Sequence, residues 1–366
     1  MNQNSMGLYS STFPLRQAKI APRQTLRGIA VVGLGYWGPN WIRNLSQLHR
    51  ADRIVACDLD DGRRERIAGM FPNVETCARL DDLLTDPEIE AAVLATPVST
   101  HYPIARKLLD AGKSVLIEKP LATTREEGEK LATIAQKNGL VLMVGHTFEY
   151  SSPVLKLADL ISGGELGEIF YITSVRANLG LFQRDVNVVW DLATHDISII
   201  LMLLGRTPEA VSCQARSHYR QGVEDVAMLE LHFSSNLIAF VHVSWLDPVK
   251  VRRMTIVGSR KMLVYDDTDS HEKVRVYDKG VSVERYYDSY SEFNLSYRYG
   301  DVHSPRIEEV EPLKVECEHF VDCVLNEAQP RTDGVVGIRV VNVLEAAERS
   351  LKSGGALVKV ERPFAN

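Results

Sequence analysis

The chain has 366 residues, of which 45% are hydrophobic and 25% charged, enough apolar surface for two sizeable cores and too much for a disordered polypeptide. Its 42 Lys and Arg against 48 Asp and Glu leave a net charge of −6, which offers no electrostatic footprint for nucleic acid or an anionic membrane. The five cysteines (Cys57, Cys77, Cys213, Cys317 and Cys323) are scattered without a CxxC pair. That excludes a zinc or disulfide framework and fits reduced, mostly buried thiols in the cytoplasm.

Residues 1–26 lack the apolar core of a signal peptide and read as a loosely held N-terminal extension. No apolar run reaches the ~18 to 20 residues needed to span a bilayer. A short β-branched run at 28–33 reads as a buried strand, followed by a turn and a helix at 39–48 with Pro39 in its first turn. Strands at 53–58, 91–95, 114–118 and 140–144 then alternate with helices at 60–69, 80–85, 101–111 and 124–138. This rhythm implies right-handed βαβ units and a parallel sheet covered on both faces. After about residue 150 it changes. A helix at 153–162, a strand at 168–176 and an apolar helix at 188–204 closed by Gly205 precede consecutive period-2 strands at 227–233, 237–244, 251–257, 261–265 and 273–277. Helices at 314–326 and 335–352 and a strand at 356–361 end the chain. The expected organisation is therefore an α/β domain over 27–150 and an α+β domain with an open, mainly antiparallel sheet over 151–366.

Gly33-Leu-Gly35-Tyr36-Trp37-Gly38 is a GxGxxG sequence between the first strand and its helix. Gly33 permits the tight turn, Gly35 lets the backbone approach a pyrophosphate, and Gly38 lets helix and strand pack closely. The helix N-terminus presents unpaired N–H groups to phosphate. Asp58, 20 residues on at the end of the next strand, can accept bonds from ribose hydroxyls and repels a 2′-phosphate, which favours NAD over NADP. A flavin dinucleotide uses the same fingerprint.

Two further strand ends carry chemistry at the edge where open α/β sheets bind ligands. One is Thr96-Pro97-Val98-Ser99-Thr100-His101; the other is Glu118-Lys119-Pro120, whose lysine can share a proton with a substrate hydroxyl. In the second half, Asp191 and His195 lie four residues apart and so share one helical face. A carboxylate beside an imidazole fixes its tautomer and raises its basicity, as a general base requires. A solvated lysine and a structural Asp–His pair are the bland alternatives. No set of metal ligands accompanies them.

Together these residues resemble the Gfo/Idh/MocA oxidoreductases over about residues 28–361. The resemblance implies a Rossmann domain followed by a substrate-binding domain that often forms the oligomer interface. It also implies an NAD(P)-dependent dehydrogenase acting on a secondary hydroxyl of a sugar, nucleotide sugar or cyclitol. Some relatives are instead NAD-dependent glycoside hydrolases that oxidise transiently, and a non-catalytic NAD-binding regulator is a third possibility. Carried over by motif, Lys119 lies near the nicotinamide, its bond to Pro120 is often cis, His195 is the acid/base and Asp191 its partner. Gly33, Gly35, Tyr36, Trp37, Gly38, Asp58, Thr96, Pro97, Ser99, His101, Glu118 and Lys119 are expected around the cofactor. His146, Tyr150 and Trp190 are candidate substrate contacts, with Trp245, Lys250 and Arg252 in the sheet nearby. A homo-oligomer, dimer or tetramer, is expected.

Overall fold

The computed structural model describes residues 23–180, 182–183, 186–283, 295–361 and 364, so most of the expected N-terminal extension lies outside the described residues. Its last part is firmly held rather than loose. Leu26 is buried and bridges to Ala51, and Arg23 and Arg27 both pair with Glu90.

The first half alternates as its sequence predicts: β1 (Ile29–Val32), α1 (Gly38–Leu48), β2 (Ile54–Cys57), α2 (Asp61–Met70), β3 (Glu75–Cys77), α3 (Leu80–Thr85), β4 (Ala91–Leu94), α4 (His101–Asp110), β5 (Ser114–Glu118), α5 (Arg125–Asn138) and β6 (Leu142–Gly145). Polar side chains start two of these helices: Asp60 accepts from the Arg63 N–H and Thr124 from the Glu127 N–H, satisfying donors that no turn reaches. Six parallel strands lie in the order β3-β2-β1-β4-β5-β6. The order reverses between β1 and β4, so the crevice beyond their carboxyl ends is the natural binding site.

The second half contains α6 (Ser152–Ser162), β7 (Ile169–Ala177), α7 (Thr194–Leu204), β8 (Ala210–Arg216), β9 (Val226–His232), β10 (Ile238–Ser244), β11 (Val251–Gly258), β12 (Met262–Asp266), β13 (Val274–Val283), β14 (Leu295–His303), α8 (Pro312–Asn326), α9 (Gly334–Lys352) and β15 (Val358–Lys359). Among the described residues its sheet runs β14-β13-β12-β11-β7-β10-β9-β8-β15, antiparallel at every junction except the parallel pair β7–β10. Periodicity missed β3, β8 and β14. The first is a three-residue edge strand, and the other two mix charged and small residues whose pairing supplies what their pattern lacks.

One face of this sheet buries Ala239, Val241 and Val243 against α6, α7 and α9, while the alternate position Phe240 stays exposed. Packing crosses the expected boundary at residue 150. Leu313, Cys317 and Phe320 of α8 join the core beneath α1, and α9 divides itself, with Ile338 and Val341 in the first lobe's core and Val340 and Leu344 in the second's. All five cysteines are unpaired. No helix among the described residues is long and apolar enough to cross a membrane.

Candidate active site

A cavity of about 690 Å³, well inside the size range of cofactor pockets, opens at the reversal point between β1 and β4. Its nucleotide end is built by the glycines. Gly33 has φ +94°, which an L side chain rarely adopts. A Cβ on Gly38 would stand 2.2 Å from the Gly33 carbonyl oxygen, so that glycine brings helix and turn together. A Cβ on Gly35 would meet nothing within 4 Å. Gly35 faces the cavity, and this is the cradle a pyrophosphate needs. Tyr36 and Trp37 are exposed at the rim and stack edge to face.

Asp58 closes this end. Its Oδ2 accepts the Leu34 N–H at 2.7 Å and its Oδ1 the Asp60 N–H at 2.9 Å. Burial alone would raise its pKa, but these N–H bonds and the Arg63 guanidinium hold it below the usual carboxylate value. Arg63, 3.4 Å from Asp58 Oδ2 and lining the cavity, was missed from sequence, because helical phase brings it back one turn after the acid. Thr96 and Pro97 line the cavity as expected, whereas Ser99 is exposed outside it. His101 does not line the cavity and acts as a strut. It is buried, with one ring nitrogen 2.9 Å from the Pro120 oxygen and the other 2.9 Å from the Thr96 oxygen, tying the two strand-end loops together.

Lys119 and Trp190 line the opposite end, and the Lys119–Pro120 peptide is cis. The expected partnership of Asp191 with His195 does not form. Residues Val189–Ala193 make a π-helical turn, started by Asn187, whose Oδ1 accepts the N–H groups of Val189 and Trp190. The extra residue in each hydrogen-bonded ring rotates Asp191 away from the residue four places on. Asp191 turns to the first lobe instead. Lys119 Nζ donates to its carbonyl oxygen at 2.9 Å and to Oδ1 at 3.3 Å, and Trp245 Nε1 donates to Oδ2 at 3.0 Å. A carboxylate so held fixes the ammonium in place.

His195 stands beside this pair with its ring edge on Phe148, centroids 5.0 Å apart, and its Nδ1 is buried without a hydrogen-bond partner. Burial pushes its pKa well below 6.5, and the charges of Lys119, Arg176 and Arg252 push it further, so the imidazole is neutral. Arg176, in a buried bidentate pair with Asp196, lies 4.4 Å over the Phe148 ring, and Arg252 lies 5.7 Å from it. Each of these three cations is paired with a carboxylate, Lys119 with Asp191, Arg176 with Asp196 and Arg252 with Asp267. Lys119 lines the cavity, whereas His195 is not among its lining residues.

His146 and Tyr150 do not line this cavity. Both are buried behind the cavity, Tyr150 with its hydroxyl 3.0 Å from Thr332 Oγ1 and its ring under Arg331. Glu118 reaches the cavity wall, yet its carboxyl is largely buried and accepts the Trp41 Nε1–H at 2.7 Å. Burial raises its pKa, with Trp41 and Lys119 opposing.

Comparison with known proteins places the chain in a family. Residues 27–146 match the family described as "Oxidoreductase family, NAD-binding Rossmann fold", and residues 154–264 match the "GFO/IDH/MocA C-terminal domain". The chain is 34% identical over 176 residues to an uncharacterized oxidoreductase of Schizosaccharomyces pombe, covering 44% of this chain and about half of that relative (47%). It is 25% identical over 338 residues to scyllo-inositol 2-dehydrogenase (NAD(+)) of Bacillus subtilis, covering 89% of this chain and 94% of that one. The solved UDP-N-acetylglucosamine 3-dehydrogenase of Acidithiobacillus ferrooxidans shares the fold, with TM-score 0.73, 22% identity and coverage of 89% and 97%.

Proposed function

Because the chain belongs to the Gfo/Idh/MocA oxidoreductases, we propose that it is an NAD-dependent dehydrogenase acting on a secondary hydroxyl of a sugar, nucleotide sugar or cyclitol. The observation that carries this reading is the Lys119–Asp191 contact. It fixes an ammonium at the far end of a cavity whose other end is shaped by Gly35 and Asp58 for a dinucleotide. When bound, NAD supplies the hydride acceptor. Gly33, Gly35 and the start of α1 hold its phosphates, and Asp58 holds the adenosine ribose.

The chain's own residues manage the proton. Neutral His195 accepts it from the substrate hydroxyl, and Lys119 donates a hydrogen bond to the developing alkoxide. Asp191 and Trp245 keep Lys119 from swinging into the cofactor space. The scyllo-inositol dehydrogenase named above acts on a cyclitol, which fits this substrate class.

The test is a screen of sugars, cyclitols and UDP-sugars for NAD+ and NADP+ reduction, preceded by mass spectrometry of any co-purifying cofactor. NADH should accumulate in stoichiometric amounts, and Lys119→Ala and His195→Ala should each keep NAD binding while losing turnover. Glycosidic cleavage without net NADH sinks the dehydrogenase reading, and full activity in both variants sinks the assigned roles.

A homo-oligomer formed through the uncovered sheet face is part of this proposal. Phe170, Met228, Phe240, Tyr297 and Tyr299 are exposed on strands of that sheet, more apolar surface than water tolerates cheaply. The five free thiols fit a cytoplasmic setting.

A further inference from the structure

Behind Lys119 lies a seam of polar side chains that the cavity does not reach. Buried His146 follows β6 and has both ring nitrogens without a hydrogen-bond partner. The next residue, Thr147, donates from Oγ1 to Glu316 Oε2 at 2.6 Å, while Glu316 Oε1 is buried and unpartnered. The third side chain with such an atom is His195, at Nδ1, within electrostatic reach of His146. The fourth is Asn44 Oδ1, on the same face of α1 as Trp41, the donor to Glu118. Asn44 Nδ2 donates at 3.2 Å to Glu311, which pairs with Arg43 at the protein surface.

Orphaned buried polar atoms are rare singly, and those of His146, Glu316 and His195 are joined through the two residues after His146, Thr147 bonded to Glu316 and Phe148 packed on the His195 ring, which calls for a common explanation. Buried water takes about three hydrogen bonds to groups of this kind. Resting on the dehydrogenase reading, we propose that ordered waters in this seam relay the substrate's proton from His195 through His146 and Glu316 to the surface at Glu311. The atoms balance without a further reagent. The substrate O–H breaks as one imidazole nitrogen of His195 gains a proton, Nδ1 gives a proton to the seam, and Glu311 returns one to bulk water. Neutral imidazole is a suitable link, and His146 stays neutral because burial, then the Lys119 charge, pushes its pKa down to about 3. Lys119, Arg176 and Arg252, each paired with a carboxylate (Asp191, Asp196 and Asp267), act on His195, and Glu118 and Glu149 act on Glu316.

Two arms test the relay. Diffraction from wild-type crystals at atomic resolution should place water within hydrogen-bond distance of His195 Nδ1, His146 and Glu316 Oε1. With the best-oxidised alcohol of the screen, Glu316→Gln keeps the Thr147 bond but cannot release a proton. It should lower kcat about tenfold with little change in KM, enlarge the solvent deuterium isotope effect and recover activity with added formate or imidazole. His146→Leu should act in the same direction. A dry seam in an active enzyme, or Glu316→Gln with unchanged kcat and isotope effect, overturns the relay alone. Ordered waters in a protein that oxidises no alcohol overturn it through failure of the dehydrogenase reading.

Discussion

The two ends of the cavity treat their ionisable groups in opposite ways. At the nucleotide end, Asp58 has donors on both carboxylate oxygens and its pKa is held down, so it is a fixed charge suited to binding. Behind the catalytic end, His146 and Glu316 are buried and His195 half-buried with its Nδ1 buried, all with atoms left over, and their pKa values move toward the neutral form. Fully paired groups hold a ligand still. Groups with spare donors or acceptors can pass a proton on, and this contrast separates binding from chemistry within one pocket.

The contrast breaks most readily at Lys119. Lys119→Met should lower kcat by about a thousandfold while cofactor affinity, read by fluorescence quenching, changes only a few-fold. If Asp191 acts through that lysine, Asp191→Asn should add little to Lys119→Met. Additive losses in the double-mutant cycle would return Asp191 to His195.

Stability should show the burial cost at Glu149, which is 2% exposed and accepts the Ser198 hydroxyl at 2.6 Å. Burial pushes its pKa up to about 7, with Ser198 and Arg331 opposing. A raised carboxyl pKa contributes stability that is complete below its unfolded value and disappears as pH rises through the folded value. Between about pH 4.5 and 7 that group removes roughly 3 kcal/mol, so Glu149→Gln should flatten the wild-type decline in this window. His146 pulls the other way. Its depressed pKa removes stability as pH falls from its unfolded value toward about 3. Urea unfolding at pH 5 and pH 8 reads both signs.

The glycines sharpen the binding side. Gly38→Ala forces a Cβ against the Gly33 carbonyl and should cost about 1–3 kcal/mol of stability. Gly35→Ala meets open space and should spare the fold while weakening NAD binding. Equal loss of melting temperature in both would contradict the cradle. Smallest is Asp58→Ala, expected to raise the KM for NAD about tenfold and to narrow the preference over NADP, with Arg63 now free for a 2′-phosphate. An unchanged cofactor ratio would remove Asp58 from that role.

What could be read from sequence was local. Strand, glycine turn, helix and terminal acid at Ile29–Asp58 are contiguous, so their spacing carries their geometry. The Asp191–His195 pairing failed because a spacing of four presumes an α-turn, and nothing in Val189–Ala193 announces the wider one. The burial of His146 and Tyr150 away from the cavity lining was not legible in the sequence, because partners far along the chain, Glu316 of α8 bonding Thr147 and Thr332 before α9 bonding Tyr150, pack this segment. Trp41 and Glu118 are likewise 77 residues apart, beyond any periodic signal.

Helix α9 has a mechanical consequence. With Ile338 and Val341 sunk in one core and Val340 and Leu344 in the other, swinging the lobes apart like a clamshell would drag apolar side chains into solvent. Ligands must therefore enter past movable rim residues such as Tyr36 and Trp37, and on heating both lobes should melt in a single calorimetric peak.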